Sequence, residues 1–179
     1  MRALLAGAVV MAALAGAAPA QPPRHAPVVA GHCQAGETTL YSCRFGANHG
    51  SVCAAPGRIA YRFGPPGKPR IVIASMPDWS NVHVGRITGG GGGSQDHVRF
   101  TAAGHDYAVF EAIGGELTEV SGERWSGIHV QHGTEELATL SCAQQSRGGA
   151  AGLGHARDFA PADALRSIEE SDPRFEAWF

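Results

Sequence analysis

Apolar and polar side chains alternate along residues 37–63, ETTLYSCRFGANHGSVCAAPGRIAYRF. One side of the first part carries Thr39, Tyr41, Cys43 and Phe45, and the last part repeats the pattern with Ile59, Tyr61 and Phe63. A period of two is typical of half-buried antiparallel strands. The stretch therefore predicts three short strands joined by turns, with their aromatic side chains packed in a core.

The first turn of this meander is predicted at Ala47–Gly50, which would place residue 45 opposite residue 51 and Cys43 opposite Cys53. Directly opposite residues have Cα atoms about 4.5–5.5 Å apart, a separation that a disulfide spans. We therefore favour a Cys43–Cys53 disulfide, which leaves Cys33–Cys142 to tie the N-terminal segment to the last strand. Four cysteines allow three connectivities in all.

Further short strands are predicted along the rest of the chain. They cover residues 70–74, a segment through Val82, Val84 and Ile87, and residues 96–101, 105–112, 124–131 and 134–142. Short strands separated by turn residues predict an all-β fold, a small antiparallel barrel or sandwich of about eight strands. The glycine run Gly89–Gly93 precedes a strand and not a helix, which favours a flexible tip over a phosphate-binding loop.

Residues 1–20 have the composition of an export signal. They combine Arg2, an apolar run and the small-residue motif Ala18-Pro19-Ala20. All four cysteines follow this segment, and an even number in an exported chain predicts disulfides and a periplasmic or secreted protein. Residues 21–32 are rich in Pro and Ala and predict a mobile lead-in.

The predicted β domain covers residues 33–142 and is followed by a tail over residues 143–179. The tail begins with a linker-like composition, QQSRGGAAGLG. A short C-terminal helix is predicted at residues 161–170, because apolar side chains recur there at helical spacing behind Pro161.

Charge is distributed unevenly along the chain. Residues 21–95 carry seven basic and two acidic side chains, a net charge of +5, whereas residues 96–136 carry two basic and eight acidic ones, a net charge of −6. Two interpretations are open. The charges either form opposite solvated edges of one domain, or the acidic part steers a basic partner.

Patterns for catalysis or metal binding are weak. The chain has no G-x-S-x-G motif, and cysteines expected in disulfides are not thiolate nucleophiles. Its nine histidines are scattered and no C-x-x-C pair accompanies them, so no metal and no cofactor is predicted. The acidic connection Glu111–Glu123 supplies carboxylates for a hydrolase, but such a cluster is usually solvated. We expect that the protein is not an enzyme.

Several segments together resemble small exported bacterial β proteins around the periplasmic lysozyme inhibitors: ETTLYSCRFG, SVC, YRFGPPGKP, HVRF, HDYAVFEA, SGIHV and LATLSC. The chain is similar to the invertebrate-type inhibitor group and, more distantly, to the c-type inhibitors, over Cys33 to Cys142. The resemblance implies an antiparallel β protein whose exposed loop inserts into a lysozyme cleft. In that family a Ser-Gly-x-Tyr motif offers hydroxyls to the catalytic carboxylates; its match here is Ser126-Gly127-Ile128-His129, with histidine in place of tyrosine.

The expected function is therefore that of a secreted or periplasmic, non-catalytic binding protein, lysozyme-inhibitor-like, with a basic lysozyme as partner. The candidate binding residues are Ser126, Gly127, His129, Glu116, Glu119 and Glu123. One alternative is a small-ligand or metal-binding β-barrel, and another is a cell-wall hydrolase that uses Glu111–Glu123. No nucleic-acid partner and no membrane span are expected.

Overall fold

The computed structural model describes residues 31–142 and 152–164, which form nine antiparallel strands in two sheets. The strands are β1 (Thr38–Phe45), β2 (Asn48–Ala55), β3 (Arg58–Gly64), β4 (Ile71–Ala74), β5 (Val82–Thr88), β6 (Ser94–Ala102), β7 (His105–Ile113), β8 (Arg124–His132) and β9 (Glu135–Ser141). Short 3-10 segments lie at Gly90–Gly92 and Leu153–Phe159. The predicted all-β fold with a short C-terminal helical segment is confirmed, and its form is sandwich-like.

Each sheet is a simple meander in which consecutive strands pair. Strands β1 to β4 form the first sheet and β5 to β9 the second. The chain crosses between them at Trp79, which has a positive φ of 57° and donates its indole N–H to the carbonyl of Gly57 at 3.1 Å. The buried Trp79 ring thus fixes the crossing to the β2–β3 turn.

The core lies between the two sheets. The first sheet contributes Leu40, Tyr41, Val52, Ile59, Tyr61 and Ile73, and the second contributes Val82, Val84, Val98, Phe100, Val109 and Ile128. Rings meet across the interface, since the centroid of Tyr61 lies 6.0 Å from Phe100 and 5.7 Å from Tyr107. The predicted aromatic core is confirmed. Burial raises the pKa of Tyr61, as expected for a phenol removed from water.

The register of the first hairpin differs from the predicted one. Phe45 pairs with Asn48, so the turn is the two-residue loop Gly46-Ala47, where Gly46 has a φ of 60°. Cys43 therefore faces Gly50 and not Cys53. The pairing also shifts between Thr39 and Tyr41, a bulge that lets both Leu40 and Tyr41 reach the core.

The preferred disulfide pairing is wrong for the same reason. The structure contains Cys33–Cys53 and Cys43–Cys142. Cys43 belongs to the core cluster, whereas Cys53 lies between the core residues Val52 and Ala54 and has its side chain on the opposite face of β2. Cys43 therefore reaches the second sheet through Cys142, and Cys53 ties down the segment that precedes β1.

That preceding segment, residues 31–37, covers the outer face of the first sheet. The backbone N–H of His32 donates to the Ser51 hydroxyl at 3.1 Å. Arg62 donates two hydrogen bonds to the Glu37 carboxylate, at 2.6 and 2.9 Å. Only 3% of the Glu37 side chain is exposed, so this is a buried bidentate ion pair. Hydrogen bonds from Arg62 hold the pKa of Glu37 below its ordinary value.

The 3-10 helix Leu153–Phe159 packs against strands of both sheets. Leu153 and Ala156 are buried, and the Gly57 N–H donates to the Phe159 carbonyl at 2.9 Å. The predicted signal peptide, most of the predicted lead-in, residues 143–151 and residues 165–179 lie outside the described residues, and so does most of the helix predicted at residues 161–170. Within the described part, no helix has the length and hydropathy to cross a bilayer.

Candidate functional site

The Ser-Gly-x-His segment lies in the middle of β8 and not in a loop. Ser126, Gly127 and His129 are all buried there. Gly127 is tightly enclosed, since a Cβ at this position would lie 2.3 Å from the Leu140 carbonyl oxygen and 2.9 Å from the Phe110 ring. These three residues are therefore placed to support the sheet, and a partner protein does not reach them without opening it.

Ser126 belongs to a polar row that crosses four strands. The register pairs Arg86 with Asp96, Asp96 with Glu111, and Glu111 with Ser126. Glu111 accepts a hydrogen bond from the backbone N–H of Leu153 at 3.0 Å. Burial raises the pKa of the nearby Tyr41, while the interaction with Ser126 lowers it and the charge of Glu111 raises it by smaller amounts. The row anchors the C-terminal 3-10 helix to the second sheet.

A cleft of about 280 Å³ opens at the outer end of this row. Its polar lining comes from Arg86, Thr88, Asp96 and Arg157. Arg86 pairs with Asp96 at 3.4 Å, and Arg157 donates to the Val84 carbonyl at 3.0 Å. The cleft is where the small-ligand alternative has a geometric basis, although both arginines already have partners within the protein.

His129 belongs to a second polar network, on the other face of the same sheet. Its ring nitrogens lie 2.9 Å from the Thr139 hydroxyl and 3.3 Å from the Gln131 side-chain oxygen. Gln131 continues the chain to Asp106, which pairs with Arg99 at 3.3 Å. The network links strands β6 to β9 and explains how a sheet carries several polar side chains that are almost fully buried.

The three carboxylates proposed for binding lie in one connection of the second sheet. Glu116, Glu119 and Glu123 lie in the connection between β7 and β8, residues 114–123, and all three are exposed. Leu117 in the same connection is 88% exposed, the highest value among the exposed large apolar side chains in the described residues. The connection therefore combines one strongly exposed aliphatic side chain with exposed carboxylates that lie close to it in sequence.

Backbone hydrogen bonds hold this connection in a compact shape. The Gly114 N–H donates a hydrogen bond to the Glu123 carbonyl at 2.8 Å, and the Gly122 N–H donates one to the Gly114 carbonyl at 3.0 Å. A Cβ at Gly114 would lie 1.9 Å from the Val120 carbonyl oxygen, so only glycine permits this closure. The connection is thus an ordered loop that presents Leu117 outward.

The glycine run packs against this loop. The Glu116 N–H donates to the Gly91 carbonyl at 2.7 Å, and the run is closed by a bond from the Gly89 N–H to the Gly93 carbonyl at 2.8 Å. Gly91 has a φ of 67°. Residues 89–93 and 114–123 therefore form one double-loop feature at the end of the second sheet, which we term the Leu117 tip.

One group of three potential metal ligands occurs among the described residues: Cys33, Glu37 and Cys53. Its two sulfurs are joined in a disulfide and its carboxylate is engaged by Arg62. A disulfide sulfur lacks the thiolate charge that binds Zn²⁺. The donor chemistry of this group therefore does not fit a metal ion.

Leu117 was not among the residues proposed from the sequence. A single leucine in a Gly- and Glu-rich stretch carries no periodic signal, and its exposure depends on how residues 89–93 and 114–123 pack. The sequence feature that could have indicated this region is the presence of two glycine-rich connections, one of which is also acidic. That feature indicates the region but does not single out Leu117.

No family model, no curated protein and no solved structure matches this chain. The resemblance to lysozyme inhibitors therefore remains an expectation drawn from the sequence segments quoted above.

Proposed function

We propose that this protein is an extracytoplasmic, non-catalytic binding protein that docks on a basic partner through the Leu117 tip. The observation that carries the proposal is an ordered, acidic loop with a leucine exposed at its apex. A basic lysozyme is the first candidate partner, because its cleft is the target that the sequence resemblance implies. The two disulfides support an oxidising compartment, for which we propose the periplasm.

Physical considerations favour this mode of binding. Carboxylates around the apex accelerate encounter with a positively charged surface, and they make association sensitive to salt. Leu117 then supplies apolar area at the centre of the contact. Full burial of a leucine side chain stabilises a complex by about 1.5–3 kcal/mol, which corresponds to roughly a 10- to 150-fold change in Kd.

The experiment measures affinity for a panel of c-, g- and invertebrate-type lysozymes, together with their rate of wall hydrolysis. Leu117→Ser is expected to weaken binding by roughly 10- to 150-fold. Leu137→Ser is the matched control, since Leu137 is 48% exposed but lies on β9. The triple change of Glu116, Glu119 and Glu123 to Gln is expected to slow association and to flatten its dependence on salt.

Two results would contradict the proposal. Equal affinities of the partner for the Leu117 and Leu137 variants would show that Leu117 does not lie in the contact. Loss of binding in Ser126→Ala with no effect of Leu117→Ser would move the contact to β8, in agreement with the motif that the resemblance implies.

A further inference from the structure

We infer that the glycine run Gly89–Gly93 is a cradle that preorganises the Leu117 tip, and that Gly91 is a positioning residue for partner binding. This inference rests on the proposed function and names Gly91 as a residue that sets the affinity of the same site for its partner. Preorganisation matters because a loop that is already ordered loses less conformational entropy on binding.

The contacts at Gly91 carry the argument. Its carbonyl accepts the Glu116 N–H, directly before Leu117 in the chain. A Cβ at position 91 would lie 2.7 Å from the backbone nitrogen of Leu117 and 3.0 Å from its Cβ. Real Cβ atoms do not approach backbone this closely, so a side chain at position 91 displaces the loop that carries Leu117.

The neighbouring glycines separate steric from conformational effects. Gly92 also has a positive φ, 83°, but a Cβ there would meet no atom within 4 Å. Gly93 has an ordinary φ of −63°, yet its Cβ would lie 2.8 Å from the backbone nitrogen of Gly115. Alanine at position 92 thus adds backbone strain alone, and alanine at position 93 adds a clash alone.

This difference predicts the pattern among three variants. Gly91→Ala and Gly93→Ala are expected to displace residues 115–117, whereas Gly92→Ala leaves them in place. In amide hydrogen exchange, the Glu116 N–H is expected to exchange at least about tenfold faster in Gly91→Ala than in Gly92→Ala. Affinity for the lysozyme that binds best is expected to fall about tenfold in the same variant, with no fall in Gly92→Ala.

Amide exchange in the β-strands reports whether each variant keeps the fold. Unchanged Glu116 exchange in Gly91→Ala, or equal affinities of Gly91→Ala and Gly92→Ala, would overturn the cradle. A wild-type protein that binds no lysozyme of the panel would overturn the proposed partner instead, and Glu116 exchange would still decide whether the cradle exists.

Discussion

The disulfide pairing has a large and measurable consequence for stability. Cys43–Cys142 closes a loop with a sequence separation of 99 residues, whereas Cys33–Cys53 closes one of 20. In the chain-entropy model these loops contribute about 4.7 and about 3.3 kcal/mol to the free energy of unfolding at 25 °C. Removing the longer cross-link by Cys43→Ala with Cys142→Ala is therefore expected to destabilise the protein more than Cys33→Ala with Cys53→Ala.

Urea denaturation tests this difference, with tryptophan fluorescence, to which the buried Trp79 contributes, as the signal. Both double variants are expected to unfold at lower urea than the wild type, and the Cys43/Cys142 variant at the lowest. Each double variant also removes a buried sulfur, since Cys43 and Cys53 are both buried, so the difference between the variants reports mainly on loop length. A more severe effect of the Cys33/Cys53 variant would contradict the loop-closure reasoning.

Peptide mapping under non-reducing conditions tests the pairing directly. Trypsin alone does not distinguish the two pairings, because Cys33 and Cys43 share one tryptic peptide that ends at Arg44. Additional cleavage after glutamate separates them at Glu37 and also cuts the Cys142 peptide after Glu136. The observed pairing predicts a cross-link between the peptides 25–37 and 45–58 and a second one between 38–44 and 137–147. A cross-link between 38–44 and 45–58 would refute it.

Two further predictions concern pH and the buried ion pair. Burial lowers the pKa of His49 below 6.5, with a smaller contribution from the positive charges of His32 and Arg44. Below pH 6.5 the imidazole of residue 49 binds a proton in the unfolded chain before it does so in the folded protein, so the free energy of unfolding falls as pH is lowered through this value. Urea denaturation at pH 5 to 8 is expected to show a smaller pH dependence of this free energy in His49→Gln than in the wild type. Glu37→Gln leaves the Arg62 charge buried without its counter-ion and is expected to cost about 3–5 kcal/mol. Because the pKa of Glu37 is lowered in the fold, the stabilisation from its ionised form is present above its ordinary pKa of 4.5 and is lost as pH falls through the folded value. The free energy of unfolding of the wild type is therefore expected to fall more steeply in acid than that of Glu37→Gln. Equal slopes for the two proteins would contradict the assignment.

Alternation of side chains predicted most of the strands, because a half-buried strand needs one apolar face wherever it lies in the sheet. Tyr41, Tyr61 and Phe100 are buried as this pattern predicts. Turn composition also predicted that consecutive strands pair, which produced the correct fold class. These features depend on residues that are close in sequence, so the sequence by itself determined them.

Register and pairing between distant segments depended on the tertiary structure. The two-residue turn with Gly46 in the left-handed conformation pairs Cys43 with Gly50, and this register decides that Cys43 and Cys53 occupy opposite faces of the sheet. The Leu117 tip has the same origin, since residues 89–93 and 114–123 form an ordered surface only when the second sheet brings them together. A change of one residue in a turn or a bulge is hard to recognise from composition, yet it moves the side chains of a strand to the other face of the sheet. For this reason the strand register and the disulfide pairing were decided only by the tertiary structure.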